Sequence, residues 1–143
     1  MRFNTKDITY YNQPFDHWVL DNFLDVNDAK KLSKQFIDFD NPTEEIIHYK
    51  GWIGEKRTCN RWDRFPPLTY STFSNLLSDK FIDKLSDITG ISPLYPDIGL
   101  HGGGWHMSGK GGSLAMHLDY SIHPKMNLQR KLNLIIYLEE DYN

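Results

Sequence analysis

The sequence predicts an α+β fold, helices packed on one face of a sheet, on three observations. Two stretches, 28–39 and 68–89, carry apolar residues at helical spacing. Two later stretches, 113–120 and 132–138, read as strands, the first by alternation and the second as an apolar run. Turn residues separate them: Asn41-Pro42, Pro66-Pro67, Ser92-Pro93, Tyr95-Pro96 and the three glycines at 102–104.

The 143 residues suffice for one domain, 1–143, with an N-terminal part, 1–90, and a part, 91–143, that holds the first core strands. Apolar residues make up 39% and aromatics 14%, so the chain buries a core. A formal net charge of −3 argues against a partner read through its phosphate backbone, and no nucleic acid is expected. The single cysteine, Cys59, excludes an intrachain disulfide, suits a reducing, cytoplasmic setting, and reads as a small buried side chain. No basic start precedes an apolar run and no apolar run approaches ~18 residues, so neither a signal peptide nor a membrane span is expected.

Taken in order, residues 14–24 read as a short strand centred on Trp18-Val19-Leu20. A helix follows at once. Asp25 is its expected N-cap, Asp28 adds negative charge to the first turn, and Ala29, Leu32, Phe36, Ile37 and Phe39 form its inner stripe. Ile46, Ile47, Tyr49, Trp52 and Ile53 suggest an extended segment broken at Gly51 and Gly54. Lys56, Arg57, Arg61 and Arg64, set among Trp52, Trp62 and Phe65, read as a surface loop with stacked side chains. The 68–89 helix is expected in two pieces. Tyr70, Phe73, Leu76 and Leu77 stripe the first. Asp79 caps the second, which carries Phe81, Ile82, Leu85 and Ile88 inward and stops at Gly90.

Residues 97–100 read as a short strand, followed by His101-Gly102-Gly103-Gly104-Trp105-His106. Gly104, Gly109 and Lys110 approach the phosphate-loop spacing, but Gly111 stands where a hydroxyl residue must hold Mg²⁺, and a nucleotide site is rejected. His101 and His106 are expected beside a pocket, His106 hydrogen-bonded and not ligating. Residues 109–112 read as a hairpin turn into the next strand.

That strand carries His117-Leu118-Asp119. Residues two apart on a strand share a face, so His117 and Asp119 point the same way. An imidazole nitrogen beside a carboxylate oxygen makes two of the three ligands of a 2-His-1-carboxylate facial triad. His123-Pro124 reads as the strand's end, and after a polar loop Arg130-Lys131-Leu132-Asn133 leads into Leu134-Ile135-Ile136-Tyr137-Leu138. On this second run Asn133, Ile135 and Tyr137 share one face and Leu132, Leu134, Ile136 and Leu138 the other.

This order resembles the core of the Fe(II)- and 2-oxoglutarate-dependent dioxygenases, in their prolyl-4-hydroxylase-like branch. There a strand bearing H-x-D precedes one reading R-x-x-T-x-x-x-Y-L. Arg130, Tyr137 and Leu138 match, and Asn133 stands at the Thr position. Bacterial and phage members that read H-x-D-x-x-x-H-P and then R-R-L-N-x-x-x-Y-L-N match at His123-Pro124 and Asn133 as well. The resemblance implies a double-stranded β-helix, or jelly roll, stiffened by the N-terminal helices. It implies Fe(II) held by His117 and Asp119, with O₂ and 2-oxoglutarate as co-substrates. Asn133 and Tyr137 are the implied contacts for 2-oxoglutarate, and His106, Tyr120, His123 and Arg130 the implied surroundings of the pocket.

The family's second His and the Arg or Lys that pairs with the far carboxylate of 2-oxoglutarate lie beyond the matched part, and Leu114 replaces a Tyr before H-x-D. The resemblance therefore implies a jelly roll incomplete at its C-terminus. A homo-oligomer that covers the exposed sheet is expected, with a small-molecule or protein side-chain substrate that the residues do not identify. A jelly-roll or cupin-like binding module without redox chemistry and a structural, partner-binding β domain are the competing readings.

Overall fold

The computed structural model describes residues 2–37, 47–49, 56–108 and 116–139. Among them the architecture is mixed α+β, with three α-helices, two small antiparallel sheets and no closed barrel. No described helix is long and apolar enough to cross a membrane.

The first sheet is a hairpin of β1 (Ile8–Tyr11) and β2 (His17–Leu20), in the register Tyr10↔Trp18 and Tyr11↔His17. The sequence reading placed β2 and missed β1. A four-residue strand flanked by Thr5-Lys6-Asp7 is too short to display alternation, and only its partner defines it.

Helix α1 (Val26–Ile37) starts where Asp25 predicted. The Asp25 carboxylate accepts the amides of Asn27 at 2.9 Å and Asp28 at 3.3 Å, satisfying two donors that the first turn leaves unpaired. Leu32 is buried as expected. The side chains of Phe36 and Ile37, and all of Phe39, lie outside what is described. Helices α2 (Pro67–Leu76) and α3 (Asp79–Thr89) are the two expected pieces, but the cap of α3 is Ser78 and not Asp79. The Ser78 hydroxyl accepts from the Phe81 amide, and Asp79 instead places its charge in the first turn. Gly90 ends α3 at φ +71°, the left-handed conformation that glycine adopts without strain. Thr69, fully buried, binds α2 to α1: its amide and hydroxyl both donate to Gln35 Oε1, at 3.2 and 2.9 Å.

The second sheet has the order β3 (Ile47–Tyr49), β4 (Lys56–Cys59), β5 (Trp105–Ser108). Cys59 pairs with Trp105 at its end. Gly104, just before β5, has φ +99°, and a Cβ there would run into the Cys59 carbonyl. The third glycine of the run is thus needed for close backbone approach.

Two apolar clusters form the core. Cys59, Phe65 and Leu100 are buried together, with Trp62, Phe73, Leu77 and Trp105 against them. This cluster joins the sheet to α2, with Phe65 stacked on Phe73 at 4.9 Å and Phe73 edge-on to Trp105 at 6.0 Å. Leu76, Phe81 and Leu85 form the second, covered by Phe3, Phe23, Ile82, Leu94, Leu132 and Ile136. Each such aromatic or aliphatic side chain contributes about 1.5–3 kcal/mol when fully buried.

Three expectations need correction. Residues 97–100 form a turn and not a strand: the Leu100 amide donates to the Asp97 carbonyl at 3.1 Å, and Leu100 sits at φ +51°. Pro96-Asp97-Ile98-Gly99 is turn chemistry that an apolar Ile-Gly-Leu run disguised. Residues 116–120 and 131–139 are assigned to no strand, and the one pairing between residues 116 and 139 is an isolated Ile122–Gln129 bridge. The alternation survives in part in the second of these: Leu132 and Ile136 pack on the Leu76–Phe81–Leu85 cluster of α2 and α3, while Asn133, Leu134, Ile135 and Tyr137 are exposed. That segment therefore meets α3 directly, without a sheet around His117 and Ile135 between them. Periodicity decides which face is apolar; a ladder also needs a neighbouring strand. The expected turn at 109–112 lies outside the described residues.

Candidate functional site

Three pieces of chain meet around His123: the turn at 97–104, the segment 116–120 and a hairpin at 121–130. The turn is anchored from below. Leu100 is buried in the first cluster, the Trp62 indole donates to the Ile98 carbonyl at 2.8 Å, and the Asn60 amide to the Leu100 carbonyl at 3.4 Å. Asp97 Oδ2 accepts the His101 amide at 2.6 Å. The hairpin is closed by Arg130 N–H to the Ser121 carbonyl and His123 N–H to the Leu128 carbonyl, both 2.8 Å. Asn127 turns the chain at φ +54°, its amide on the His123 carbonyl at 2.9 Å.

His123 is buried. Its Nδ1 accepts the amides of Lys125 at 3.2 Å and Met126 at 3.0 Å. A ring nitrogen that accepts two amide protons carries none itself, so the proton of the neutral ring is on Nε2. Nε2 faces Asp97 Oδ1 at 3.4 Å, and both atoms are buried without a hydrogen-bond partner. Tyr120 adds a second link, its hydroxyl donating to the His101 carbonyl at 2.7 Å. The rings of His101, Tyr120 and His123 pack edge to face at 5.2–5.9 Å. His123 was expected to end a strand beside the pocket mouth. It is instead an interior post of the hairpin.

Asp119 and His117 lie on the outer side of this framework. His117 Nε2 is 3.4 Å from Asp119 Oδ1, and both side chains are half exposed, at 49% and 50%. The other oxygen, Asp119 Oδ2, pairs with Arg130 Nη1 at 3.1 Å. The Arg130 guanidinium also lies over the Tyr120 ring, 5.0 Å from its centroid. Four of the sequence-predicted residues, His117, Asp119, Tyr120 and Arg130, thus form one connected group, with His123 against Tyr120.

Others stand apart. His106 is on β5, its ring nitrogen 3.3 Å from the Gly103 carbonyl. Asn133 and Tyr137 face solvent, Tyr137 at 76% exposure, and among the described residues neither makes a hydrogen bond or ion pair with the His117 group. The basic cluster is not the expected surface loop throughout: Lys56 and Arg57 lie on β4, paired on both sides, and Arg61 is bidentate to Asp63 at 2.8 and 2.9 Å, its guanidinium holding the Asp63 carboxyl below its ordinary range. Asp97 escaped the sequence reading. The signal was present as an Asp after Pro and two before Gly, a turn former four residues before His101.

His117 Nε2 and Asp119 Oδ1, 3.4 Å apart, both reach a single ion at ordinary bond lengths of about 2.1 Å. They fit as two ligands. Among the described residues no group of three His, Cys, Asp or Glu side chains is placed to hold one. His123 does not complete the set, since Nδ1 is used by backbone amides and Nε2 faces Asp97. Comparison of the chain with family models, curated proteins and solved structures finds no match.

Proposed function

We propose that the chain belongs to an Fe(II)- and 2-oxoglutarate-dependent oxygenase of the hydroxylase type, with a double-stranded β-helix of which residues 91–143 supply the first core segments. The observation that carries this reading is the His117–Asp119 pair, an imidazole nitrogen and a carboxylate oxygen 3.4 Å apart on an accessible part of the chain. His117 and Asp119 would hold the metal, and a third protein ligand completes the triad. Bound Fe(II) supplies oxidation of 2-oxoglutarate to succinate and CO₂ coupled to hydroxylation of a substrate carbon by O₂. Asn133 and Tyr137 are the residues proposed to contact 2-oxoglutarate. The chain's own part is to orient the two donors: Leu132 and Ile136 fix the 131–139 segment on α3, and the hairpin places Asp119 beside Arg130.

A second reading, a jelly-roll or cupin-like binding module without redox chemistry, is favoured by one feature: the described residues present two donors, not three. Metal titration under anaerobic conditions separates the two. The oxygenase reading expects Fe(II) binding that is lost in His117→Ala and in Asp119→Ala and is altered by 2-oxoglutarate. A binding module takes up small molecules with no response to 2-oxoglutarate.

A further inference from the structure

We infer that Arg130 is a positioning residue for Asp119, holding one carboxylate oxygen so that the other stays beside His117. This rests on the metal-site reading above. Asp119 is half exposed, and an exposed carboxylate ordinarily rotates among several orientations. Here its two oxygens have different partners: Oδ1 faces His117 Nε2 at 3.4 Å and Oδ2 faces Arg130 Nη1 at 3.1 Å. The guanidinium carbon lies over the Tyr120 ring, whose hydroxyl is bound to the His101 carbonyl, and the Arg130 backbone amide closes the hairpin on Ser121. At 23% exposure the Arg130 side chain is the less solvated partner of the pair. The chain of contacts runs from the turn at 97–104, anchored by buried Leu100, through Tyr120 and Arg130 to Asp119, so that framework orients the accessible carboxylate. Lysine would bring charge without the fixed fork of the guanidinium.

The sign of the effect makes this testable. A positive charge beside a cation site repels the cation, so an Arg130 that acted through charge alone would weaken metal binding, and its removal would tighten it. Positioning has the opposite sign: an outer partner that orients a ligand typically raises metal affinity by about 10–100-fold. The experiment is titration of the 143-residue chain with Co(II), read by the visible absorption of the bound ion, for the parent, Arg130→Ala, Arg130→Gln and Arg130→Lys, with His117→Ala alongside. Circular dichroism selects the folded variants, and the near-isosteric Arg130→Gln serves should Arg130→Ala not fold. The expected result is binding by the parent that requires His117, about 10–100-fold weaker binding and a changed Co(II) spectrum in Arg130→Ala and Arg130→Gln, and partial recovery in Arg130→Lys. Equal or tighter binding in Arg130→Ala and Arg130→Gln, with an unchanged spectrum, overturns the positioning role and leaves the metal reading standing. Absence of His117-dependent binding in the parent overturns both.

Discussion

His123 Nε2 lies 3.4 Å from Asp97 Oδ1, a contact between residues on different loops that fastens the 121–130 hairpin to the turn at 97–104. His123 also caps two amides through Nδ1. Replacing it with alanine removes the acceptor of those two part-buried amides and the imidazole that packs against the Asp97 carboxylate. Each buried polar group so abandoned costs about 1–3 kcal/mol. His123→Ala is expected to lower unfolding free energy in urea by about 2 kcal/mol or more, and Asp97→Asn, which retains an acceptor, by less. Equal, negligible losses would show that the contact does not hold the loops.

The Gly104 position accepts no side chain. Its φ of +99° and the Cys59 carbonyl in the path of a Cβ both oppose one. Gly104→Ala is expected to cost at least about 2 kcal/mol, through backbone strain and displacement of β5 from β4. Gly90→Ala meets open space at φ +71° and is expected to cost only about 1–2 kcal/mol. Thermal unfolding of the two variants gives the order.

The two faces of the 131–139 segment predict different sensitivities. Ile136 packs on the Phe81–Leu85 cluster, whereas Ile135 is 60% exposed. Ile136→Ala is expected to destabilise by about 2 kcal/mol and Ile135→Ala by no more than about 0.5 kcal/mol. Reversal of that order in urea unfolding would reject the packing of this segment on α3.

Tyr10 supplies a pH dependence. Its hydroxyl donates to Asp16 Oδ1 at 2.7 Å, and this bond, with the nearby carboxylate charge, raises the phenol above its ordinary value near 10. The bond needs the protonated phenol. Its contribution is fully present below the unfolded-state value and is lost as pH rises through the higher folded-state value. Absorbance titration of the tyrosinates, with Tyr10→Phe subtracted, should show Tyr10 ionising late, and at lower pH in Asp16→Asn. An unmoved titration in Asp16→Asn would rule out the bond as the cause.

Met116 and Leu118, either side of His117, are almost fully exposed, and Ile135 and Tyr137 are exposed on the 131–139 segment. Large apolar side chains exposed to water favour self-association. Sedimentation velocity is expected to show concentration-dependent assembly that Leu118→Lys and Ile135→Lys reduce. Monomeric behaviour of the parent across the accessible concentrations would refute it.

The helices were legible because their signals are local. Asp25 and Gly90 stand within a few residues of the bonds they make, and Leu32, Phe81 and Leu85 recur at the helical period. His117 and Asp119 are near one another by their two-residue separation, although no strand forms there to put them on one face.

The sequence by itself determined which residues are apolar, where the three helices lie, and how the side chains of the 132–138 run divide between two faces. Tertiary structure alone decided that this run rests on α3 without strand partners, that His123 meets Asp97, and that Arg130 reaches Asp119. Those contacts join residues well separated in the chain, 11 positions for Arg130 with Asp119 and 26 for His123 with Asp97. Periodicity and capping act over one or two turns of backbone, whereas such contacts depend on how loops close and what the core clusters leave room for.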